Sequence, residues 1–336
     1  MAREALIAAL TAGDAPVVAV FGDFCLDRYV YIDAERDEPS VETGLTAWQI
    51  VGERCQPGAA GTITNNLRAL GAQVFCVGLL GKDGAGYELK KALQQVGASI
   101  EYMVETEERC TCCYLKPMRR ENGRETELNR HDYKNFTSTS RELEDALLDN
   151  LRRVLPQCDA VLVCDQYMEQ DCAAVTAYVR AGLAKLAEEF SEKVFYADSR
   201  GFIDQFDKMI IKCNHNEIAK IFAVSPDTVD EAAAGQYAAK LAERTGRPVV
   251  VTLGERGSVV WDGREAAHVP AFPVTGEIDV VGAGDACNAG LVYALCKGLP
   301  LRDAALVGNA ASHLVIRQIG TTGTARLEDV VIVLKK

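Results

Sequence analysis

The stretch that decides the fold is Asp279-Val-Val-Gly-Ala-Gly-Asp285-Ala-Cys-Asn288. A β-branched run, Ile278–Val281, precedes two glycines and an aspartate, and helix-compatible residues follow from Ala286 to Cys296. This order predicts a strand, a tight turn and a helix. Glycines let the backbone approach a ligand closely, and the free N–H groups at a helix start attract anions. The pattern therefore predicts an anion site with a carboxylate beside it.

Asp285 stands at the same helix start that would hold a phosphate. The pairing makes chemical sense if Asp285 takes a proton from a hydroxyl while the amides hold the phosphoryl group in transfer. We expect the helix dipole to keep Asp285 ionised. A plainer interpretation, that Asp285 caps its own helix after a tight turn, fits the stretch equally well.

Two other phosphate-binding patterns fit the chain poorly. The Gly-x-Gly-x-x-Gly turn of dinucleotide-binding proteins needs a third glycine where Cys287 stands, and too little sequence follows for a second half-sheet. A Walker loop, Gly-x-x-x-x-Gly-Lys-Ser/Thr, occurs nowhere.

Composition limits the classes of protein that this chain can belong to. Its 336 residues are 48% apolar, enough for a sizeable core in one or two α/β domains. A net charge of -12 and a pI near 5.0 argue against a surface for nucleic acid or anionic membrane. Residues 1–12 suit a short amphipathic helix better than a secretory signal, and no apolar run reaches the ~18 residues of a membrane span. We expect a cytoplasmic protein.

The chain has 12 cysteines. Cys110 and Cys113 form a Cys-x-x-Cys pair around Cys112, but no second pair or histidine stands at metal-binding spacing. Most of the others lie in apolar runs and are expected to be buried and reduced. A metal or redox role for these three is left open.

Several apolar runs end in a carboxylate and alternate with helical segments. One run ends at Asp23, another at Asp165 and a third at Asp198. This alternation predicts a doubly wound sheet with its ligand site at the carboxyl ends of the strands. Asp27 then stands where a polyol would bind, although a solvated turn aspartate is a competing interpretation.

The stretch Asp279-Val-Val-Gly-Ala-Gly-Asp285 resembles the C-terminal signature of the ribokinase (PfkB-type) carbohydrate kinases. The resemblance implies that Asp285 is the catalytic base and that Gly282, Ala283 and Gly284 form the anion hole. It covers nearly the whole chain. It implies a single ribokinase-like α/β domain over residues 1–336, in which a mostly parallel central sheet is flanked by helices and covered by a small β-sheet lid.

The same resemblance assigns the other site residues. The Asn214-x-x-Glu217 pattern is similar to a family motif that organises Mg²⁺ and phosphates, partly through water, although the spacing also fits a helix cap. The implied nucleotide contacts are Asn214, Thr252, Gly254, Gly257 and Asn309. The implied substrate contacts are Asp27, Gly58, Ala59, Thr62, Arg130 and Asp165. Ala59 and Thr62 replace the family's usual glycine and asparagine, which leaves the sugar in question.

The predicted lid comprises residues of about 28–56 and 108–134, which alternate with period two. Its second segment carries five cations, namely Lys116, Arg119, Arg120, Arg124 and Arg130. They form either a solvated hairpin or, with Arg130 foremost, a site for a phosphate already on the substrate. A homodimer that pairs two lids is also expected, with Trp48 either at that interface or covering its own sheet.

The predicted function is ATP-dependent phosphorylation of a hydroxyl on a sugar or sugar phosphate. The motifs at Asp165-Gln-Tyr167 and Asp198-Ser-Arg-Gly201 are similar to those of the family's heptose 7-phosphate kinases, with departures at Gln166, Ser199 and Arg200. Two alternatives remain open: a catalytically silent regulator that binds a sugar or nucleotide, and a nucleoside or vitamin kinase of the same fold. ATP and Mg²⁺ are the expected cofactors, and a monovalent cation is left open.

Overall fold

The fold is built on a nine-stranded sheet in a computed structural model that describes residues 1–336. Its strands are β1 (Val17–Gly22), β6 (Gln73–Gly81), β7 (Val104–Thr106), β11 (Ala160–Asp165), β12 (Val194–Ser199), β13 (Ile210–Asn214), β14 (Val249–Thr252), β15 (Ser258–Trp261) and β16 (Ala266–Val269). They lie in the order β16-β15-β14-β13-β12-β11-β1-β6-β7. All neighbours pair in parallel except β14 with β15 and β15 with β16.

Ten α-helices accompany the strands. They are α1 (Arg3–Thr11), α2 (Ala60–Ala69), α3 (Gly84–Gln95), α4 (Arg141–Val154), α5 (Ala177–Glu189), α6 (His215–Ile221), α7 (Glu231–Thr245), α8 (Ala283–Cys296), α9 (Leu301–Val315) and α10 (Leu327–Leu334). None of these helices combines the length and apolar character needed to cross a lipid bilayer.

Both faces of the large sheet are buried, so its strands read as continuous apolar runs. Along β1, Val18 and Val20 join a core of 42 buried residues that includes side chains of α2, α8 and α9. The alternate residues Ala19 and Phe21 join a second core of 34 residues with α4, α5 and α7. The predicted mostly parallel sheet flanked by helices is therefore confirmed.

A second, five-stranded sheet stands beside the first. It contains β2 (Phe24–Asp33), β5 (Ile50–Ala59), β8 (Cys112–Glu121), β9 (Arg124–Glu127) and β10 (His131–Tyr133). β2 pairs parallel with β8, and its other pairings are antiparallel. A two-stranded ribbon, β3 (Glu38–Pro39) with β4 (Thr46–Ala47), projects from it. These strands fall largely within the two segments predicted for the lid.

The strand predicted immediately before α8 is wrong. Residues 270–281 form no strand, and Ile278, Val280 and Val281 are largely exposed. The segment is held by isolated bonds instead, such as the one from Asp279 N to Ile316 O. A β-branched run without a neighbouring strand to complete its ladder remains extended loop.

The carboxyl ends of the parallel strands meet at one edge of the large sheet. Chain order reverses there, because β6 follows β1 on one side and β11 lies on the other. Such a reversal leaves a crevice outside the strand ends. Asp165, Asp198 and Asn214, at or near the ends of β11, β12 and β13, all reach this crevice.

Gly22, the last residue of β1, is required by the packing at this edge. Its φ is +129°, and an added Cβ would lie 2.1 Å from the carbonyl oxygen of Cys164 on β11. We predict that Gly22→Ala destabilises the protein by about 3 kcal/mol, seen as a lower midpoint of urea unfolding. Gly84→Ala is the control, because its Cβ would meet nothing within 4 Å. Equal midpoints for the two variants would contradict this account.

Candidate active site

An open cavity of about 430 Å³ lies between the strand ends, the start of α8 and the second sheet. It brings together most of the residues predicted from sequence. The predicted residues that line it are Asp27, Ala59, Thr62, Arg130, Asp165, Asn214, Glu217, Gly282, Gly284 and Asp285. Residues about 260 positions apart in the chain therefore contribute to one site.

The start of α8 offers free backbone N–H groups to this cavity. Gly282 caps the helix with a left-handed backbone, φ +80°, which glycine adopts without strain. The N–H groups of Gly284 and Asp285 have no acceptor within the protein, whereas Ala283 N donates to Val280 O at 3.2 Å. The amide of Ala283, predicted as an anion-hole donor, is bonded within the turn in this structure.

Asp285 lies half-buried at the floor of the cavity. Burial raises the pKa of its carboxyl to about 7, and the negative charge of Asp198 acts in the same direction. Lys212 and Arg200 oppose the rise in pKa without cancelling it. Desolvation thus acts against the helix dipole, which was expected to keep Asp285 ionised.

A buried lysine that the sequence analysis missed stands beside the free amides. Lys212, on β13, is 5% exposed, and a Cβ on Gly284 would lie 3.5 Å from its Nζ. Its Nζ is 3.0 Å from Asp198 Oδ2, and this carboxylate raises the pKa of Lys212 despite burial. Asn288 Nδ2 donates to the same oxygen at 2.5 Å. Lys212 is thus a fixed positive charge at the anion site.

Asn214 and Glu217 form the capping box of α6. Asn214 Oδ1 accepts the N–H of Glu217 at 3.0 Å, and Glu217 Oε2 accepts the N–H of Asn214 at 2.8 Å. Both residues nevertheless line the cavity. Burial raises the pKa of Glu217 to about 7, with a further contribution from Asp198. Cap and ligand roles are compatible here, because Oε1 of Glu217 accepts no bond from the protein.

These residues fit a hydrated Mg²⁺. Glu217 offers Oε1, and Asp198 offers Oδ1, which also receives no hydrogen bond from the protein. No cluster of three or more potential ligands among His, Cys, Asp and Glu occurs in the structure. Magnesium commonly keeps several waters and takes only one or two carboxylates, so a full protein cage is not required.

Asp27 also lines the cavity, and its negative charge helps to raise the pKa of Asp285. It is buried, and its Oδ1 lies 3.2 Å from Nζ of Lys116, which also bonds the hydroxyl of Tyr29 at 3.1 Å. A Cβ on Gly58 would come within 2.9 Å of Asp27 Oδ2, so glycine is needed there. Gly58 thus packs against the Asp27 carboxylate and does not line the cavity.

Ala59 and Thr62 supply the wall next to Asp27. Ala59 has φ +52°, a conformation that favours glycine, and its methyl group faces the cavity. The hydroxyl of Thr62 donates to Pro57 O at 3.3 Å and keeps its lone pairs as acceptors. The Ala59 methyl group narrows the site relative to glycine, and the Thr62 hydroxyl leaves an acceptor at the cavity wall.

Asp165 has one carboxylate oxygen without a partner. Its Oδ2 accepts from Ser199 Oγ at 2.7 Å, whereas the buried Oδ1 has no hydrogen bond. Burial and the nearby charge of Asp23 raise the pKa of Asp165 well above its usual range. A buried polar atom without a partner is costly, so this orphan atom suits a substrate hydroxyl.

Two of the five cations in residues 108–134 line the cavity, Lys116 on β8 and Arg130 in the loop before β10. Arg130 is bonded in bidentate fashion to Asp132, at 2.6 and 2.7 Å, and its guanidinium lies over the ring of Tyr114. Its charge is therefore partly neutralised, yet half of its side chain remains accessible. Arg119 and Arg120 pair with acidic neighbours instead.

The remaining predicted nucleotide contacts lie outside the cavity. Thr252 ends β14 opposite Asn214, and Gly254 and Gly257 flank the turn that follows it. Asn309, on α9, is buried and donates to Val269 O at 3.1 Å. Thr252 and the two glycines lie next to Asn214, which lines the cavity. Asn309 instead bonds the carbonyls at the end of β16.

Comparison with known proteins identifies the family. The pfkB family carbohydrate kinases match residues 18–327. The chain belongs to the pfkB family of carbohydrate kinases. The expected ribokinase-type resemblance is thereby confirmed, and the chain is assigned to a family of phosphotransferases.

Among curated relatives, the chain is 28% identical over 309 residues to the bifunctional protein HldE of Wolinella succinogenes, covering 91% of this chain and 62% of that protein. It is 30% identical over 314 residues to the bifunctional protein HldE of Azorhizobium caulinodans, covering 93% and 63%. The chain thus spans about three fifths of the length of these relatives.

Solved structures with the same fold have lower identity. Arabidopsis thaliana ribokinase, complexed with ribose and ATP, superposes with a TM-score of 0.70 at 19% identity, covering 96% of this chain and all of that one. Escherichia coli phosphofructokinase-2, in complex with substrates and products, gives 0.71 at 15% identity, covering 96% and 99%. These likenesses establish the ribokinase-like fold.

The raised pKa of Asp285 predicts a pH-dependent cost to stability. Because the folded state holds this proton more tightly than the unfolded state, stability is lost as pH rises from about 4 through about 7. We predict that Asp285→Asn raises the melting temperature at pH 8 and changes it little at pH 4. Asp262→Asn is the control, because backbone amides lower the pKa of this exposed residue. An Asp285→Asn variant that is less stable than wild type at pH 8 would contradict the raised pKa of Asp285.

Proposed function

We propose that this chain transfers the γ-phosphoryl group of MgATP to a hydroxyl of a phosphorylated sugar, with a heptose 7-phosphate-like compound as the favoured acceptor. One observation carries the proposal. Asp285, two free amides and the Lys212 ammonium meet in one cavity that Asp27 also lines. A base, an anion site and a polyol site thus share one cavity.

Proton transfer is assigned to Asp285. In its ionised form it accepts the proton of the acceptor hydroxyl, and its pKa near 7 suits a base at neutral pH. The N–H groups of Gly284 and Asp285 donate to the non-bridging oxygens of the transferring group. Lys212 balances the negative charge there. These positions supply preorganised donors without a covalent intermediate.

Magnesium, when bound, neutralises phosphate charge and helps to position the triphosphate. Glu217 and Asp198 would hold it, partly through water, with Asn214 adjacent. We propose that the nucleotide extends from Asn214 along Thr252 and the Gly254–Gly257 turn. Including K⁺ or Na⁺ in the assay tests the open question of a monovalent cation.

The acceptor end of the cavity favours a sugar that carries an anion. Asp27 and the unpaired Oδ1 of Asp165 are acceptors for sugar hydroxyls. Lys116, on β8, and Arg130, in the loop before β10, line the same cavity. A neutral sugar needs no cation, whereas a phosphate can replace Asp132 as the partner of Arg130.

We propose that the second sheet closes over the substrates as a lid and pairs with the lid of a second copy. Val41, Leu45 and Trp48, in and beside the β3–β4 ribbon, are exposed. Apolar side chains clustered on such a projection suit contact with another protein surface. Closure excludes water, which otherwise competes with the sugar hydroxyl for the phosphoryl group.

The experiment that tests this function measures ADP release with MgATP over a panel of free sugars, hexose and heptose phosphates, nucleosides and vitamins. Strong turnover on a sugar phosphate, abolished in Asp285→Asn, is the expected result. Turnover restricted to nucleosides or vitamins would replace the proposed acceptor. ATP or sugar binding without any turnover would favour a regulator.

Arg130→Ala tests the phosphate contact. Loss of a charge-assisted hydrogen bond of about 1.5–3 kcal/mol predicts a KM for the phosphorylated acceptor about 10- to 100-fold higher. The KM for ATP should stay within about threefold of wild type. Arg124→Ala is the matched control, since Arg124 belongs to the same predicted lid segment, residues 108–134, and does not line the cavity. Equal acceptor KM values for the two variants would remove Arg130 from the site.

A further inference from the structure

Four cations line the cavity, and three of them are already paired with carboxylates. Lys116 lies 3.2 Å from Asp27, and Lys212 lies 3.0 Å from Asp198. Arg130 makes its bidentate contact with Asp132. The fourth, Arg200, makes no ion pair within the protein, and its side chain donates no hydrogen bond.

The backbone of Arg200 is nevertheless held in place. It directly follows β12, and its backbone N–H donates to Asp165 O at 3.0 Å, which fixes the end of β12 against β11. Its side chain is exposed and borders the cavity. Asp285 lines the same cavity, and the positive charge of Arg200 lowers the pKa of that carboxyl. The guanidinium therefore stands within electrostatic reach of the base.

We propose that Arg200 is a catalytic residue that binds the phosphoryl group during its transfer. The inference rests on the proposed kinase function and assigns this residue to the same site. The acceptor oxygen forms a bond to the γ-phosphorus while the bond from that phosphorus to the β,γ-bridging oxygen breaks. The hydroxyl proton goes to Asp285 and ADP leaves with the electron pair. Arg200 donates hydrogen bonds to the phosphoryl oxygens throughout and forms no covalent bond.

An unpaired arginine suits this task better than its paired neighbours. A guanidinium presents five donors in a planar fork that matches two phosphoryl oxygens. Lys116, Arg130 and Lys212 would each have to leave or share a carboxylate to bind the same group. Most exposed arginines are simply solvated, whereas Arg200 lines the same cavity as Asp285 and Glu217.

The expected kinetic result is a loss in kcat. Arg200→Ala should lower kcat about 100-fold, the range found for removal of one donor at a developing charge, with KM for ATP and acceptor within about threefold. Added guanidinium ion should restore part of the rate, and Arg200→Lys should retain more activity than Arg200→Ala. Arg264→Ala is the control, because Arg264 is also exposed and unpaired but lies outside the cavity.

Binding measurements separate this role from a structural one. Calorimetry with MgADP, aluminium fluoride and the acceptor should show about 100-fold weaker binding to Arg200→Ala, whereas MgADP alone should bind with nearly wild-type affinity. Because Arg200 is exposed, the melting temperature should not change.

Distinct outcomes overturn the two proposals. Suppose that the wild type is active and that Arg200→Ala keeps kcat within threefold of it, or changes only the acceptor KM. That result removes Arg200 from phosphoryl transfer and leaves the kinase function standing. A wild type that phosphorylates no acceptor overturns the function, and the assignment of Arg200 falls with it.

Discussion

The ion pair between Lys212 and Asp198 fixes the geometry on which the site depends. It joins β12 to β13 beneath the cavity, and Asn288 links the same carboxylate to α8. Tyr196, on β12, orients Asn288 through a 2.9 Å hydrogen bond. Breaking a buried pair by removing one partner leaves an uncompensated charge, which typically costs about 3–5 kcal/mol. The helix that carries Asp285 is thus held in register with the sheet by polar contacts as well as by packing.

The cavity contains more carboxylates than cations, and this imbalance explains its electrostatics. Six carboxylates line it, whereas only four lysine or arginine side chains do. Burial and mutual repulsion raise the pKa values of Asp165, Glu217 and Asp285. A divalent metal would relieve the repulsion among the carboxylates, and the cations would meet the phosphates. Strain of this kind is the usual cost of a functional site in an otherwise well-packed protein.

The sequence predicted the features that depend on local pattern. The apolar runs predicted the buried parallel strands. Because the carboxyl ends of parallel strands meet at one edge of the sheet, the carboxylates that end these runs, such as Asp165, were predicted to lie at that edge. The glycines around Asp285 marked the helix start. The strand before α8 was mispredicted, because β propensity does not reveal whether a neighbouring strand exists.

Contacts that form only in the folded chain could not be predicted. Lys212 sits in an apolar run, and nothing in its neighbourhood shows that Asp198 and Gly284 would meet it. The Arg130–Asp132 pair joins a residue of the loop before β10 to a residue on β10, so no strand periodicity predicts it. In the sequence, Arg200 is distinguished only as a departure from the family's motif at Asp198–Gly201. Its lack of a partner is a property of the three-dimensional arrangement.

The central claim is that Asp285 is the base that takes the proton of the acceptor hydroxyl. The most direct test is the pH dependence of kcat/KM for the best acceptor, in wild type and in Asp285→Asn. The account predicts that wild-type kcat/KM falls with unit slope as pH drops below about 7, the pKa of Asp285 in the free protein. The residual kcat/KM of Asp285→Asn should not show this fall below about pH 7. A wild-type profile that is flat from about pH 5.5 to 8.5, or the same fall retained in Asp285→Asn, would contradict the claim.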